Sequence, residues 1–344
     1  MRRIPPSLWA LALFLILIGA SWSEGLDSYT QLVIMFMGIN IIMSASLNLI
    51  NGYMGEFSCG HAGFMAVGAY VTSILTVWFF TSGSVFGAAL LSPGWAVLLF
   101  PLLLLAGGLA AALAGLMIAV PSFRTRGDYL AIITLAANYI IKSAIENIQV
   151  IGGARGFMGM SRVVNGMEEV LRVPWMMIWI GLFTALSVLL IKRFITSTYG
   201  KGVIAIREDE IASEIMGVNT RKIKMIAFML SSGLAGVAGG LLAHVLGYIN
   251  PGSFTIMKST EAMVMVYLGG MGSLSGSVLS AVLFTLILEL LRPLEVFKWV
   301  LVPLLLFFLM LFRPEGLLGH REVPEVLPWL KRFYRAQEKD HAPV

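Results

Sequence analysis

Trp95–Val120, WAVLLFPLLLLAGGLAAALAGLMIAV, runs for 26 residues without a charged side chain. An α-helix needs about 20 mostly apolar residues to cross the hydrocarbon core of a bilayer, so this stretch reads as a spanning helix. Outward from it, stretches of the same character recur at residues 8–22, 31–50, 62–80, 129–148, 175–191, 225–248, 261–274, 276–291 and 299–312. The fold class that follows is an all-α integral membrane protein of about ten transmembrane helices. The last three stretches are short, which predicts tilted, broken or re-entrant segments.

Composition points the same way. Hydrophobic residues make up 58% of the 344 and charged residues only 12%, against roughly 25% charged in soluble domains, so the bilayer is the main solvent. The single cysteine, Cys59, excludes an internal disulfide and any cysteine-rich metal cluster. A net charge of +5 could indicate nucleic acid, but its placement argues for topology. Threading the spans with the N-terminus inside puts 17 of the 24 basic residues on the cytoplasmic face: Arg2, Arg3, Arg124, Arg126, the loop 192–224 and the C-terminal tail. That asymmetry favours both termini in the cytoplasm and no nucleic-acid partner. Arg2 and Arg3 followed by Leu8–Ala20 also have the shape of a secretory signal, and are read as an uncleaved anchor. The organisation expected is one transmembrane domain, 1–320, with a cytoplasmic tail, 321–344.

The loop 192–224 carries helix signals as well as charge. Glu208, Asp209 and Glu210 can open a short helix that Gly217 closes, and Asn219 or Thr220 can cap the next one. Within it Ile211 with Ile215, and Ala212 with Met216, fall four apart and share a face. Such a stripe on the cytoplasmic surface needs a cover, either a groove or the lipid headgroups and neighbouring helices of the same chain.

Glycine breaks two apolar stretches in a related way, Gly52-Tyr53-Met54-Gly55-Glu56-Phe57-Ser58 and Gly269-Gly270-Met271-Gly272-Ser273-Leu274-Ser275. Matched interruptions in two halves of a transporter point to a repeat around a substrate path, and small residues alone also serve tight helix packing. Polar side chains fall inside the expected spans at Asn40, Ser44, Asn48, Asn138, Lys142, Glu146, Asn147, His244, Glu261 and Glu289, each costly in hydrocarbon unless it faces protein or water. Lys142 and Glu146, four apart, can neutralise each other. The candidates for a translocation path are Asn48, Gly52, Gly55, His61, Gly63, Asn138, Gly269 and Gly272; His61 reads equally as a structural histidine. Neither HExxH nor GxSxG occurs, which argues against an intramembrane enzyme. No GxxxxGK followed by Ser or Thr occurs either, so this chain has no phosphate cradle for ATP.

NLINGYMGEFSCGHAGFMAVGAY at Asn48–Tyr70 resembles the permeases of branched-chain amino acid ABC transporters, the LivH and LivM type. The likeness continues at RTRGDYLAIITLA, Arg124–Ala136, at AIREDEIASEIMGVNTRKIKMIAF, Ala205–Phe228, and at LGGMGSLSG, Leu268–Gly276. It covers residues from about 30 to 318 and is closer to the LivM branch. The resemblance implies a multi-pass permease of the bacterial inner membrane, working with a second, LivH-type permease, two cytoplasmic ABC ATPases that bind the ATP and Mg, and an extracytoplasmic substrate-binding protein. It implies that the short helix is a coupling helix docked on the ATPase, with Arg207, Glu208, Asp209, Glu210, Ile211, Ala212, Glu214, Ile215 and Gly217 at the contact. Here Ile211-Ala212-Ser213 stands where the wider importer class has glutamate-alanine-alanine. The cargo implied is leucine, isoleucine or valine, with urea, short amides and other amino acids as alternatives. An ion-gradient-driven transporter is the rival class, for which Lys142, Glu146, Glu261 and Glu289 would be the charged groups.

Overall fold

The computed structural model describes residues 27–82, 87–123, 129–170, 173–294, 297–312 and 316–319. The expected first span at 8–22, the Arg124–Asp128 part of the second resembling block and the tail 321–344 lie outside them. Among the described residues twelve α-helices follow one another: α1 (Ser28–Asn48), α2 (His61–Phe80), α3 (Ala96–Ser122), α4 (Tyr129–Asn147), α5 (Met160–Val170), α6 (Trp175–Thr196), α7 (Thr198–Glu208), α8 (Glu210–Ile215), α9 (Thr220–Leu246), α10 (Ile256–Gly269), α11 (Leu274–Leu290) and α12 (Lys298–Phe312). One small antiparallel pair, β1 (Phe157–Met158) and β2 (Tyr248–Ile249), joins Phe157 to Ile249 and Met158 to Tyr248.

Six helical stretches among the described residues are long and apolar enough to cross a membrane: 28–53, 61–80, 93–122, 129–147, 175–196 and 220–246. At 1.5 Å per residue, the 27 residues of α3 extend about 40 Å. The three expected short segments are short: α10, α11 and α12 have 14, 17 and 15 residues. An all-α membrane protein is therefore what the chain forms, with the count of ten spans resting on these shorter helices and on residues outside the description.

Close packing around α9 explains much of the glycine content. α9 lies against α2 and α3, and a Cβ at Gly68 of α2 would collide with the backbone of Gly236 on α9. Gly107 of α3 is held equally tightly against Thr72 of α2. Without a hydrophobic drive between helices in lipid, such backbone approach supplies the dispersion contacts that hold them. The outer face of α3 carries Leu98, Leu102, Leu105, Leu109 and Leu113, all exposed at helical spacing, an apolar stripe suited to lipid. α5 was not anticipated: it lies near the β1–β2 end and buries Met160, Val163 and Met167, one face of an otherwise polar helix.

The turn between α8 and α9 follows the expected signals. Gly217 takes φ +85°, and the Asn219 side chain, rather than Thr220, accepts from the Lys222 amide at 3.0 Å. This cap starts α9 at Thr220, five residues before the apolar run that marked it in the sequence.

Candidate functional site

The two glycine-rich interruptions meet. α1 loosens into a π-helical turn over Leu49–Tyr53, where the Met54 amide donates to the Leu49 carbonyl at 3.1 Å, and Gly55 then takes φ +75°. The second interruption ends α10 at Gly269, passes Gly270 at φ +110° and Gly272 at φ +79°, and restarts as α11 with Ser273 as its cap. Asn48, fully buried, spends its whole amide on this second break. Its Oδ1 accepts from the Gly272 amide at 3.0 Å, and its Nδ2 donates to the Ser273 carbonyl at 2.9 Å and to Ser277 Oγ at 2.7 Å. Gly52 sits directly on Gly272: a Cβ there would collide with the Gly272 nitrogen and the Asn48 side chain. The end of α10 is finished from outside, by the amides of Leu317 and Leu318 donating to the carbonyls of Leu268 and Gly269 at 2.8 and 3.2 Å.

His61, Gly63 and Asn138 form a second group. Cys59 donates its amide to Thr134 Oγ1 on α4 at 3.2 Å, which brings the first turn of α2 against the middle of α4. A Cβ at Gly63 would stand 3.0 Å from the Asn138 Cα and Oδ1. His61 Nε2 shares a hydrogen bond with Ser46 Oγ on α1 at 2.9 Å, and Ser231 of α9 donates to the Ser46 carbonyl, so three helices are tied at one level. His61 Nδ1, Asn138 Oδ1, Asn51 Nδ2 and Ser58 Oγ are buried without a hydrogen-bond partner among the described residues. The other spanning histidine, His244, is satisfied on both nitrogens, by Thr76 Oγ1 at 2.9 Å and the Gly240 carbonyl at 2.8 Å.

The charged groups inside the expected spans are paired. Lys142 lies 3.5 Å from Glu146, Lys258 2.7 Å from Glu261, and Arg292 3.5 Å from Glu289. No group of three or more His, Cys, Asp or Glu suited to a metal ion exists among the described residues.

The segment expected to couple to an ATPase forms two helices, not one. The sequence reading placed Glu208 and Asp209 inside a single helix ending at Gly217; here Glu208 closes α7, and Asp209, with extended backbone, caps α8 by accepting from the Ala212 amide at 2.9 Å. Asp209 is the better cap because its short side chain reaches the third amide beyond it. On α8 Ala212 is exposed, and Ile211, Ile215 and, just after it, Met216 are 66%, 79% and 82% exposed, an apolar face uncovered among the described residues. Glu214 accepts from Thr220 Oγ1 at 2.8 Å, holding α8 against the start of α9.

Arg207 faces inward. Its Nη1 donates to the Gly52 carbonyl at 3.0 Å, its Nη2 lies 3.1 Å from Glu208, and its stem lies on Gly55. Two residues outside the expected set complete the cluster: Lys224 lies 2.7 Å from Glu56, in the first break, and 2.9 Å from Glu210, on α8. A single acidic residue inside a glycine-rich break and a lysine one turn into an apolar helix were the signals available for them.

Residues 29–312 match the family model described as "Branched-chain amino acid transport system / permease component". The chain belongs to that family. The match runs from α1 to the end of α12 and so contains both breaks and the α7–α9 turn. Among curated relatives, the high-affinity branched-chain amino acid transport permease protein LivM of Escherichia coli K12 is 31% identical over 92% of this chain and 75% of its own length. A probable LivM permease of Methanocaldococcus jannaschii is 24% identical over 88% of this chain and 96% of its own, and LivH of Salmonella typhimurium 24% identical over 85% and 96%. No solved structure matches the permease. The LivM-like resemblance read in the sequence is thereby borne out.

Proposed function

We propose that this permease is one of two membrane subunits of an ATP-driven importer of branched-chain amino acids in a bacterial inner membrane, with both its termini in the cytoplasm. The observation that carries the reading is the likeness to LivM, 31% identity over 92% of the chain and 75% of LivM, and the short capped helix with an exposed apolar face where coupling is expected supports it. Ile211, Ile215 and Met216 supply the surface that docks in a cleft of an ABC ATPase; Asp209, Glu214 and Gly217 hold its shape. ATP and Mg belong to two such ATPases, and a LivH-type permease and an extracytoplasmic binding protein complete the machine.

The substrate path uses the paired breaks and the α2–α4 contact. A branched-chain amino acid is a zwitterion with a small apolar tail. Its ammonium and carboxylate need transient polar partners, and buried groups with spare hydrogen-bonding capacity, His61 Nδ1, Asn138 Oδ1, Asn51 Nδ2 and Ser58 Oγ, are of that kind. Asn48, Gly52, Gly55, Gly269 and Gly272 form the discontinuous backbone whose rearrangement opens the way. The pairing of every intramembrane charge named above speaks against ion-gradient coupling. Selectivity resides mainly in the binding protein. Exchanging it for one of different specificity should change the imported amino acid; selectivity that stays with the permease defeats that assignment.

A further inference from the structure

We propose that Lys224 and Arg207 act as a clasp that makes the coupling segment and the first helix break move as one body, so that displacement of α8 is delivered to the paired breaks. The inference rests on the proposed function and adds residues to it. α8 has only six residues and buries only Ser213, so packing alone gives it little grip on the membrane helices. Its grip is ionic. Lys224, whose side chain is 8% exposed, points its ammonium at Glu210 on α8 and at Glu56 beyond Gly55, and stands 5.9 Å from the centre of the Phe123 ring at the end of α3. One carboxylate suffices to neutralise a buried ammonium; the second ties a second element to it. Arg207, at the junction of α7 and α8, adds a charge-assisted bond to the Gly52 carbonyl. Gly52 in turn packs so closely on Gly272 that a Cβ would not fit between them, and Asn48 binds the same break through two backbone hydrogen bonds, to Gly272 and Ser273, and a third to Ser277 Oγ. Two series of contacts therefore enter the first break: Glu210 through Lys224 to Glu56, whose amide donates to the Ile50 carbonyl at 3.2 Å, and Arg207 to Gly52, which packs on Asn48 and Gly272 at the start of α11.

The test measures leucine uptake and ATP hydrolysis in the same proteoliposomes, holding this chain with its second permease, ATPases and binding protein. Lys224→Met and Glu56→Gln should each leave an assembled complex that hydrolyses ATP and import about tenfold less leucine per ATP, Lys224→Arg should keep the wild-type ratio, and the double variant should be no worse than either single one. Wild-type leucine per ATP in both single variants overturns the clasp, as does a double variant whose loss is the product of the single losses. Failure of both single variants to assemble assigns the pair to folding alone and also overturns it. The wild-type complex separates the two readings: no ATP-driven uptake there fails the proposed function itself, whereas wild-type uptake with unaltered variants fails the clasp alone.

Discussion

Asn48 joins two segments more than two hundred residues apart with three hydrogen bonds, and each such bond inside a membrane bundle contributes about 0.6 kcal/mol on average. Asn48→Leu keeps the heavy-atom count and branching, at a larger volume, and loses all three, leaving the Gly272 amide and Ser277 hydroxyl buried without that partner. The expected outcome is a loss of about 1–3 kcal/mol, read as a lower Tm of the detergent-solubilised permease. An unchanged Tm would mean that the two breaks do not depend on each other. In the sequence Asn48 was legible only as a polar residue in an apolar run, because periodicity relates neighbours on one helix and says nothing about a partner near residue 273. The two glycine-rich breaks, which hold Gly52 and Gly272, were the better clue, and it was geometric: a Cβ at Gly52 would keep the two backbones from touching. His61 shows the opposite limit. Its type and position left a structural and a path role open, and its geometry carries both features, a bond to Ser46 through Nε2 and a bare Nδ1.

Helices divide by how their signals arise. The long apolar ones were legible because length and hydropathy are local properties, and their bounds shifted mainly where a cap lay outside the apolar run, as at Asn219. α7 and α5 were not, since neither carries a continuous apolar run: α7 begins at a Ser197 cap and includes Gly200 and Gly202, and α5 is polar on all but one face. α8 was legible from its cap, its stripe and its closing glycine together, though one residue at the junction, Glu208, fell to α7. Charges at the centre of its exposed stripe should remove the docking surface without touching the fold, because Ile211 and Ile215 are largely exposed among the described residues. Ile211→Glu with Ile215→Glu is expected to reduce co-purification of the ATPase at least about tenfold while the permease still inserts and runs as the wild type in detergent. ATPase retained at the wild-type level would move the docking surface elsewhere.

At the scale of the whole molecule, composition decided the solvent, and the residue blocks decided the family; neither could place the breaks against each other or join α8 to them. The structure supplies that connection, with an exposed apolar helix at one end, a buried ionic cluster behind it and two facing interruptions beyond. This arrangement suits a subunit that receives mechanical work from a separate motor. The charges named inside the spans are each held by a neighbour. The most direct measurement is uptake of radiolabelled leucine into vesicles containing this chain, its second permease, the ATPases and the binding protein, with each omitted in turn. The account predicts accumulation that requires ATP and every component and persists when an ionophore collapses the ion gradients; accumulation that survives ATP depletion and stops with the ionophore would contradict it.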